Sequence, residues 1–209
     1  MSNKSEEPEQ IKIVLIGESG IGKTCLYNRI IDDTYKNYNP STLGSDCKCK
    51  VKNFPKYQRD LQLEIWDTAG AEEYRALSKI FYQKAEIAIA CYDITNRKSF
   101  DELKKYWINN LKEAVKKDII IGLTANKSDL FEEQVVPENE AIQYAKENGF
   151  FFFQTSAKQG TGITDLIESL GNEYLKRNGC VERSTFILQK AKTLPRKKKD
   201  KCCYLYKDI

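Results

Sequence analysis

Histidine is absent from all 209 residues of the chain. That excludes Ser-His-Asp triads, histidine-bound zinc and imidazole acid–base chemistry, so any reaction must draw on Lys, Ser/Thr, Asp/Glu, Cys, backbone amides or a bound ion. No apolar run approaches the roughly 18 residues that a membrane helix needs. The opening MSNKSEEPEQ lacks the apolar core of a signal peptide, so neither a membrane span nor a secretory leader is expected. No internal repeat is visible. The seven cysteines are odd in number and irregularly spaced, which is no disulfide framework. Cys47 and Cys49 can share one face of a strand, but without a histidine or further cysteine nearby they do not supply four zinc ligands. Cys25 and Cys91 read as small buried apolar residues. A cytosolic chain is expected.

What is present suits one soluble domain with tails. Hydrophobic residues make up 41% and charged residues 31%, and a chain of this length can bury about two-thirds of its unfolded surface without a staple. The net charge of +4 is unevenly placed: eight of the 34 basic residues and two of the 30 acidic ones lie from Gln189 to Ile209, leaving the rest at −2. A basic body would have suggested nucleic acid, and none is expected as a partner. A basic tail points to a membrane surface or an importin-like partner.

Along the chain, short apolar runs alternate with helical spacing. Strands are expected at Ile11–Ile16, Cys47–Phe54, Leu61–Trp66, Ile87–Tyr92, Ile119–Ala125 and Phe150–Gln154, the second and third forming a hairpin across Pro55–Asp60. Helices are expected at Cys25–Ile31, within Ala69–Gln83, at Ser99–Lys116 with Ser99 as cap, at Pro137–Asn148 ended by Gly149, and at Thr161–Lys176. Such alternation predicts an α/β fold, a mostly parallel six-stranded sheet with helices on both faces. Its ligands bind beyond the carboxyl ends of the strands, and every chemical motif falls at such an end.

Gly17 to Thr24, GESGIGKT, fits the phosphate-loop pattern G-x-x-x-x-G-K-[ST] between a strand and a helix; a chance match is on the order of one in a hundred. The glycines let successive N–H groups wrap a phosphate, and the helix N-terminus adds a favourable field. Lys23 would reach the β- and γ-phosphates, and the Thr24 hydroxyl would hold Mg²⁺. Asp67-Thr68-Ala69-Gly70 ends a strand opposite this loop, where Asp67 can hold the metal, usually through water, and the Gly70 N–H can approach the γ-phosphate. Asn126-Lys127-Ser128-Asp129 follows the expected Ile119–Ala125 strand. Guanine presents an N1–H and a 2-amino group side by side, which one carboxylate, Asp129, accepts together and adenine cannot match. Asn126 can tie the loops to the purine edge, and the Lys127 stem can cover the ring. In Thr155-Ser156-Ala157-Lys158 the Ala157 N–H can meet the guanine 6-oxo group. Taken singly, each tetrapeptide could equally be an ordinary polar turn.

These four motifs in this order resemble the small Ras-like GTPases over about Ile11 to Arg177. Within that superfamily the Rab branch is most similar, through Asp33-Thr34-Tyr35, Ser41-Thr42-Leu43-Gly44-Ser45-Asp46, Trp66-Asp67-Thr68-Ala69-Gly70 and Tyr92-Asp93-Ile94-Thr95-Asn96. The resemblance implies a polar N-terminal arm (1–10), a GTP-binding domain (11–177) and a basic hypervariable tail with a cysteine pair (178–209). It implies GTP/GDP and Mg²⁺ as cofactors, with Thr24, Thr42 and Asp67 at the metal. Nucleotide contacts would come from Ser19, Gly20, Ile21, Gly22, Lys23, Thr24, Cys25, Tyr35, Thr42, Gly70, Asn126, Lys127, Asp129, Ser156, Ala157 and Lys158. The γ-phosphate machinery would be Lys23, Thr42 and Gly70. Effectors would read two switch segments, around Thr42 and after Gly70. An exchange factor, a GTPase-activating protein of the TBC type and, for a prenylated chain, a GDP dissociation inhibitor or escort protein would be further partners. The place of action would be the cytosolic face of an intracellular membrane, in vesicle traffic.

Three departures stand beside the resemblance. Ala71 occupies the position of the family's catalytic glutamine and cannot orient a water, so weak intrinsic hydrolysis is expected; the alternative is a GTP-binding interaction module with negligible turnover. A kinase or motor ATPase would share only the phosphate loop, and Asp129 argues against it. Cys47 stands where the branch usually places Phe, beside Trp66 and Phe81, so the effector surface should differ; the run Phe81-Tyr82-Gln83-Lys84-Ala85 matches the branch only in part. Cys202 and Cys203 follow a basic run, as in prenylated Rab tails, yet six residues come after them and Tyr206 holds the CaaX cysteine position. Geranylgeranylation, S-acylation and a solvated basic tail remain open.

Overall fold

Strand β1 (Glu9–Ile16) runs through the middle of the sheet and is buried almost throughout from Ile11 onward. The computed structural model describes residues 7–37, 42, 44–70, 75–115 and 118–182. The other strands are β2 (Ser45–Phe54), β3 (Arg59–Thr68), β4 (Ile87–Asp93), β5 (Ile120–Asn126) and β6 (Phe151–Gln154), in the spatial order β2-β3-β1-β4-β5-β6. Only β2 is antiparallel to its neighbour, as its hairpin turn requires. All seven residues of β4 and of β5 are buried, because parallel strands inside a doubly covered sheet meet a hydrophobic layer on both faces. β2 alternates instead, with Lys48, Lys50 and Lys52 interleaved along its length; a charged edge strand resists pairing with other chains.

Helices α1 (Lys23–Asp32) and α6 (Ile163–Arg177) cover one face. Leu26, Tyr27, Ile30, Leu166, Leu170 and Tyr174 pack there with Ile11, Ile13, Leu15, Leu63 and Ile65. The α6 helix can lie close because β5 has Gly122 beneath it, where a Cβ would come within 2.9 Å of Leu170 Cδ1. The other face carries α2 (Arg75–Tyr82), α3 (Arg97–Glu102), α4 (Ile108–Ala114) and α5 (Glu138–Asn148). Phe100, Leu103, Trp107, Leu111, Ala141 and Ala145 pack there with Val14, Ile16, Ala88, Ala90, Ile121 and Leu123. Each large side chain so buried contributes about 1.5–3 kcal/mol.

Several sequence expectations are corrected in detail. β1 begins at Glu9, whose carboxylate accepts the Tyr174 hydroxyl at 2.6 Å. The helix expected at Ser99–Lys116 starts at Arg97. Its cap is Asn96, which accepts the Ser99 N–H at 3.2 Å, while the Ser99 hydroxyl bonds back to the Asn96 carbonyl at 2.7 Å. Leu103–Trp107 forms a π turn between α3 and α4, with the Ile108 N–H reaching the Leu103 carbonyl; apolar spacing does not distinguish one wide turn from an α turn. Lys116 lies outside the described residues. The 3₁₀ helix Ser128–Glu133 follows β5 unannounced. Among the described residues no helix is long and apolar enough to cross a membrane.

Candidate nucleotide site

The chain leaves β1 toward β3 on one side and later returns to β4 on the other, so a crevice opens beyond the carboxyl ends of β1 and β4. The phosphate loop fills its floor. Gly17 lies against β4, and a Cβ there would strike the Cys91 carbonyl. Gly22 precedes α1 at φ 93°, and a Cβ there would come within 2.7 Å of Asn126 Nδ2. Ile21 is buried beneath the loop, whereas Ser19 and Gly20 are exposed.

Lys23, only 6% exposed, folds its ammonium back onto this loop. Nζ donates to the carbonyls of Gly17 at 2.8 Å and Glu18 at 2.6 Å. Burial pushes its pKa down to about 8, opposed chiefly by the Asp67 carboxylate. Gly70 presses against the same ammonium: a Cβ there would collide with Lys23 Nζ and approach the Glu18 carbonyl carbon to 2.5 Å. Lys23, Glu18 and Gly70 thus meet at one point.

The three predicted metal ligands converge beside it. Thr24 Oγ1 donates to Asp67 Oδ2 at 2.6 Å and lies 2.9 Å from Thr42 Oγ1, which is itself 3.3 Å from Asp67 Oδ2. Asp67 is 1% exposed, and its second oxygen, Oδ1, is buried with no hydrogen-bond partner among the described residues. Burial raises its pKa, opposed by the Thr24 hydrogen bond and by Lys23. One carboxylate with an orphaned buried oxygen and two hydroxyls fit Mg²⁺. That ion binds through few protein oxygens and leaves its other positions to water and phosphate.

On the other side of the loop, a cavity of about 160 Å³ is bounded by Gly22, Cys25, Tyr35, Asn126, Lys127 and Asp129, with Ala157 and Lys158 closing it. Asn126 donates to the Ile21 carbonyl at 2.9 Å and accepts the Thr155 hydroxyl at 3.2 Å, tying three loops together. Lys127, at φ 62°, reaches the Gly20 carbonyl at 3.0 Å and Asp93 at 2.6 Å. Asp129 accepts the Ser156 hydroxyl at 2.5 Å, and Lys158 Nζ lies 4.0 Å away. Eight of the predicted nucleotide contacts, Gly22, Cys25, Tyr35, Asn126, Lys127, Asp129, Ala157 and Lys158, thus border one cavity, Lys23, Thr24, Thr42 and Gly70 gather beside the phosphate loop, and Ile21 and Ser156 are buried. Ala71, Cys202 and Cys203 lie outside the described residues.

Sequence reasoning missed several participants. Asp93, which anchors Lys127, stood in a quoted motif without a role. Tyr27 donates its hydroxyl to Asp46 at 2.9 Å, pinning the start of β2 to α1. Arg29, which donates to the Ala157 and Lys158 carbonyls, and Trp107, which donates to the Glu18 carboxylate of the phosphate loop, carry no local signal. Beside Trp66, opposite it across β2–β3, Cys47 points its thiol at Glu64 Oε1, 3.7 Å away, and burial first and Glu64 second raise that thiol to about 11. Lys12 Nζ sits 4.1 Å from the Trp66 ring centroid, and Phe81 lies 6.2 Å away, centroid to centroid. The surface is thus an aromatic pair with a thiol and a lysine.

A family model, the Ras family, matches residues 12–176. The Ras-related protein Rab-13 of Canis lupus familiaris is 36% identical over 168 residues, covering 80% of this chain and 81% of its own. The Ras-related protein Rab5A of Oryza sativa subsp. japonica is 35% identical over 175 residues, covering 84% and 85%. The Ras-related protein Rab-1D of Dictyostelium discoideum is 34% identical over 184 residues, covering 88% and 89%. With the six-stranded, mostly parallel sheet and a phosphate loop at its switch point, the chain belongs to the Ras family of small GTPases, in its Rab-like branch.

Proposed function

We propose that this protein is a GTP/GDP-dependent molecular switch in intracellular membrane traffic, with weak intrinsic hydrolysis. The observation that carries the reading is the meeting of Thr24, Thr42 and Asp67 beside buried Lys23. Thr42 comes from the segment before β2 and Thr24 from α1, so a ligand that draws on both orders the first switch; Gly70 does the same for the second. Loss of the γ-phosphate releases both, and partners meet two different surfaces.

Hydrolysis is attack of water on the γ-phosphorus with cleavage of the bond to the β–γ bridging oxygen, giving GDP and phosphate. Lys23, released from its loop carbonyls, neutralises the β- and γ-oxygens, and the Gly70 N–H holds the γ-phosphate. Mg²⁺ bound at Thr24, Thr42 and Asp67 would supply charge neutralisation across the phosphates. No side chain at Ala71 can align the water. The same residue supports a second reading, an interaction module with negligible turnover.

The organisation is a GTP-binding domain over 11–177 between a polar arm and a basic tail, acting on the cytosolic face of a membrane. Its partners are effectors at the switch segments, an exchange factor, an activating protein and, with lipid on Cys202 or Cys203, a GDP dissociation inhibitor or escort protein. The test is single-turnover hydrolysis of bound GTP, alone and with a TBC domain. Slow turnover that the TBC domain accelerates is expected. No turnover under either condition selects the interaction module, and failure to bind GTP at all overturns both.

A further inference from the structure

Arg29 lies on α1, outside every motif that reads phosphate or base. Its side chain is 18% exposed. Nε donates to the Ala157 carbonyl at 2.7 Å and Nη2 to the Lys158 carbonyl at 3.0 Å. Nη1 donates to the Asp33 carbonyl at 2.9 Å and to its carboxylate at 3.1 Å. A guanidinium is a planar fork whose donors cannot turn independently. Two consecutive carbonyls of the Thr155–Lys158 loop are therefore held at a set spacing against α1.

A trans peptide points its N–H away from its C=O, and Ala157 and Lys158 both border the purine-side cavity. The peptide that carries the Ala157 N–H also carries the Ser156 carbonyl, which accepts the Gly160 N–H at 2.7 Å. The next peptide is gripped by Arg29 through the Ala157 carbonyl. Accepting a charge-assisted bond also polarises that peptide and strengthens its N–H, which belongs to Lys158. Asp129 is oriented by the Ser156 hydroxyl at 2.5 Å, not through either carbonyl that Arg29 holds.

We infer that Arg29 is a specificity-determining positioning residue: by holding the Ala157 carbonyl it aims the N–H of the same peptide, that of Lys158, at the 6-oxo group of the purine, while Asp129 reads the N1–H and 2-amino edge. The inference rests on the guanine reading proposed above. It differs from a plain strut between α1 and the loop, whose loss would weaken every nucleotide alike.

The experiment measures dissociation constants of the full chain for three diphosphates by competition with a fluorescent GDP. These are GDP, inosine diphosphate, which keeps the 6-oxo group and N1–H but lacks the 2-amino group, and 2-aminopurine riboside diphosphate, which lacks the 6-oxo group and with it the N1–H, so that the Asp129 contribution cancels only in the comparison of each variant with the unmodified protein. In Arg29→Ala the preference for GDP over the 2-aminopurine nucleotide should fall about tenfold, the scale of one hydrogen bond to a polarised donor. The preference for GDP over inosine diphosphate should stay within about twofold. Arg29→Lys carries the same test where the alanine variant folds poorly, since one ammonium cannot span two carbonyls as a fork does. Asp33→Asn, which removes the charge of the exposed ion pair and tolerates the left-handed φ of 52° there, should keep both preferences. A uniform loss across all three nucleotides, or an unchanged 6-oxo preference in the Arg29 variants, overturns the inference. If the unmodified protein does not favour GDP over inosine diphosphate, the guanine reading falls, and this inference with it.

Discussion

Trp107 donates its indole Nε1–H to the Glu18 carboxylate at 2.8 Å, joining the π turn between α3 and α4 to the phosphate loop. Trp107 is fully buried, and the Glu18 main-chain carbonyl is one of the two that hold Lys23. Trp107 is the last residue of this turn, which is wider than an α turn, and its indole reaches the loop. Changing Trp107→Phe keeps an aromatic ring but removes the donor. It should cost about 1–3 kcal/mol of stability from the lost charge-assisted bond and the smaller ring, seen as a lower thermal midpoint. Nucleotide release should also quicken. A lower midpoint with an unchanged release rate would make the contact purely structural.

Gly70→Ala should damage the site more than the fold. The added Cβ meets Lys23 Nζ, which can retreat, and the Glu18 carbonyl at 2.5–2.6 Å, which is backbone and cannot move cheaply. The strain is about 1–3 kcal/mol. Lys23 would be displaced from the phosphates, so single-turnover hydrolysis should become undetectable while circular dichroism stays native-like. Retained hydrolysis would remove Gly70 from the γ-phosphate site.

Asp129→Asn should exchange the base preference. An amide offers one acceptor where the carboxylate offered two, so GTP should weaken at least about a hundredfold through two lost charge-assisted bonds. The amide N–H should favour xanthine nucleotides, which carry an oxygen in place of the 2-amino group. The Ser156 hydroxyl can still bond the amide oxygen, so the loop should hold. Equal competition by ATP and GTP in the unmodified protein would contradict the role given to Asp129.

Ala71→Gln should raise intrinsic hydrolysis. A glutamine there can align the attacking water, whereas alanine offers no polar atom; positioned polar groups of this kind are worth about tenfold or more. Because TBC domains supply both an Arg and a Gln in trans, stimulated turnover should change less than the basal rate. Fast hydrolysis already in the unmodified protein, with no gain from glutamine, would mean that another residue positions the water.

Replacing Cys202 and Cys203 together with Ser should leave the protein largely unbound to membranes in cells. The cluster from Arg196 to Lys199 with Lys201 contributes about 1 kcal/mol per charge near an anionic surface, and stable anchoring takes a second signal such as a lipid. Cell fractionation reads the outcome. Membrane retention equal to that of the unmodified protein would place the anchor elsewhere.

Local sequence determined the strands, most helices and the two ends of the crevice, because each rests on neighbours in the chain. Ile13 to Ile16 form a short continuous apolar run, rich in β-branched residues and bounded by Gly17, as a buried strand does, and Gly17 to Thr24 carry the loop and its metal hydroxyl within eight residues. Asp67 was legible because it stands at the end of β3, and Asp129 because it follows the end of β5 by three residues. The tertiary structure alone decided which distant groups hold those motifs in place. The separation from Arg29 to the Ala157 carbonyl is 128 residues, and from Glu18 to Trp107 it is 89. No periodicity or spacing encodes such pairs: a helix presents a face, and only packing against the sheet sets which side chain on that face meets which loop. The π turn belongs to the same class. Leu103 and Trp107 are four residues apart, as an α helix allows, yet the bond from Ile108 to Leu103 widens the turn that ends at Trp107. Composition cannot register a widening of that kind, because it changes no residue and exposes no apolar surface.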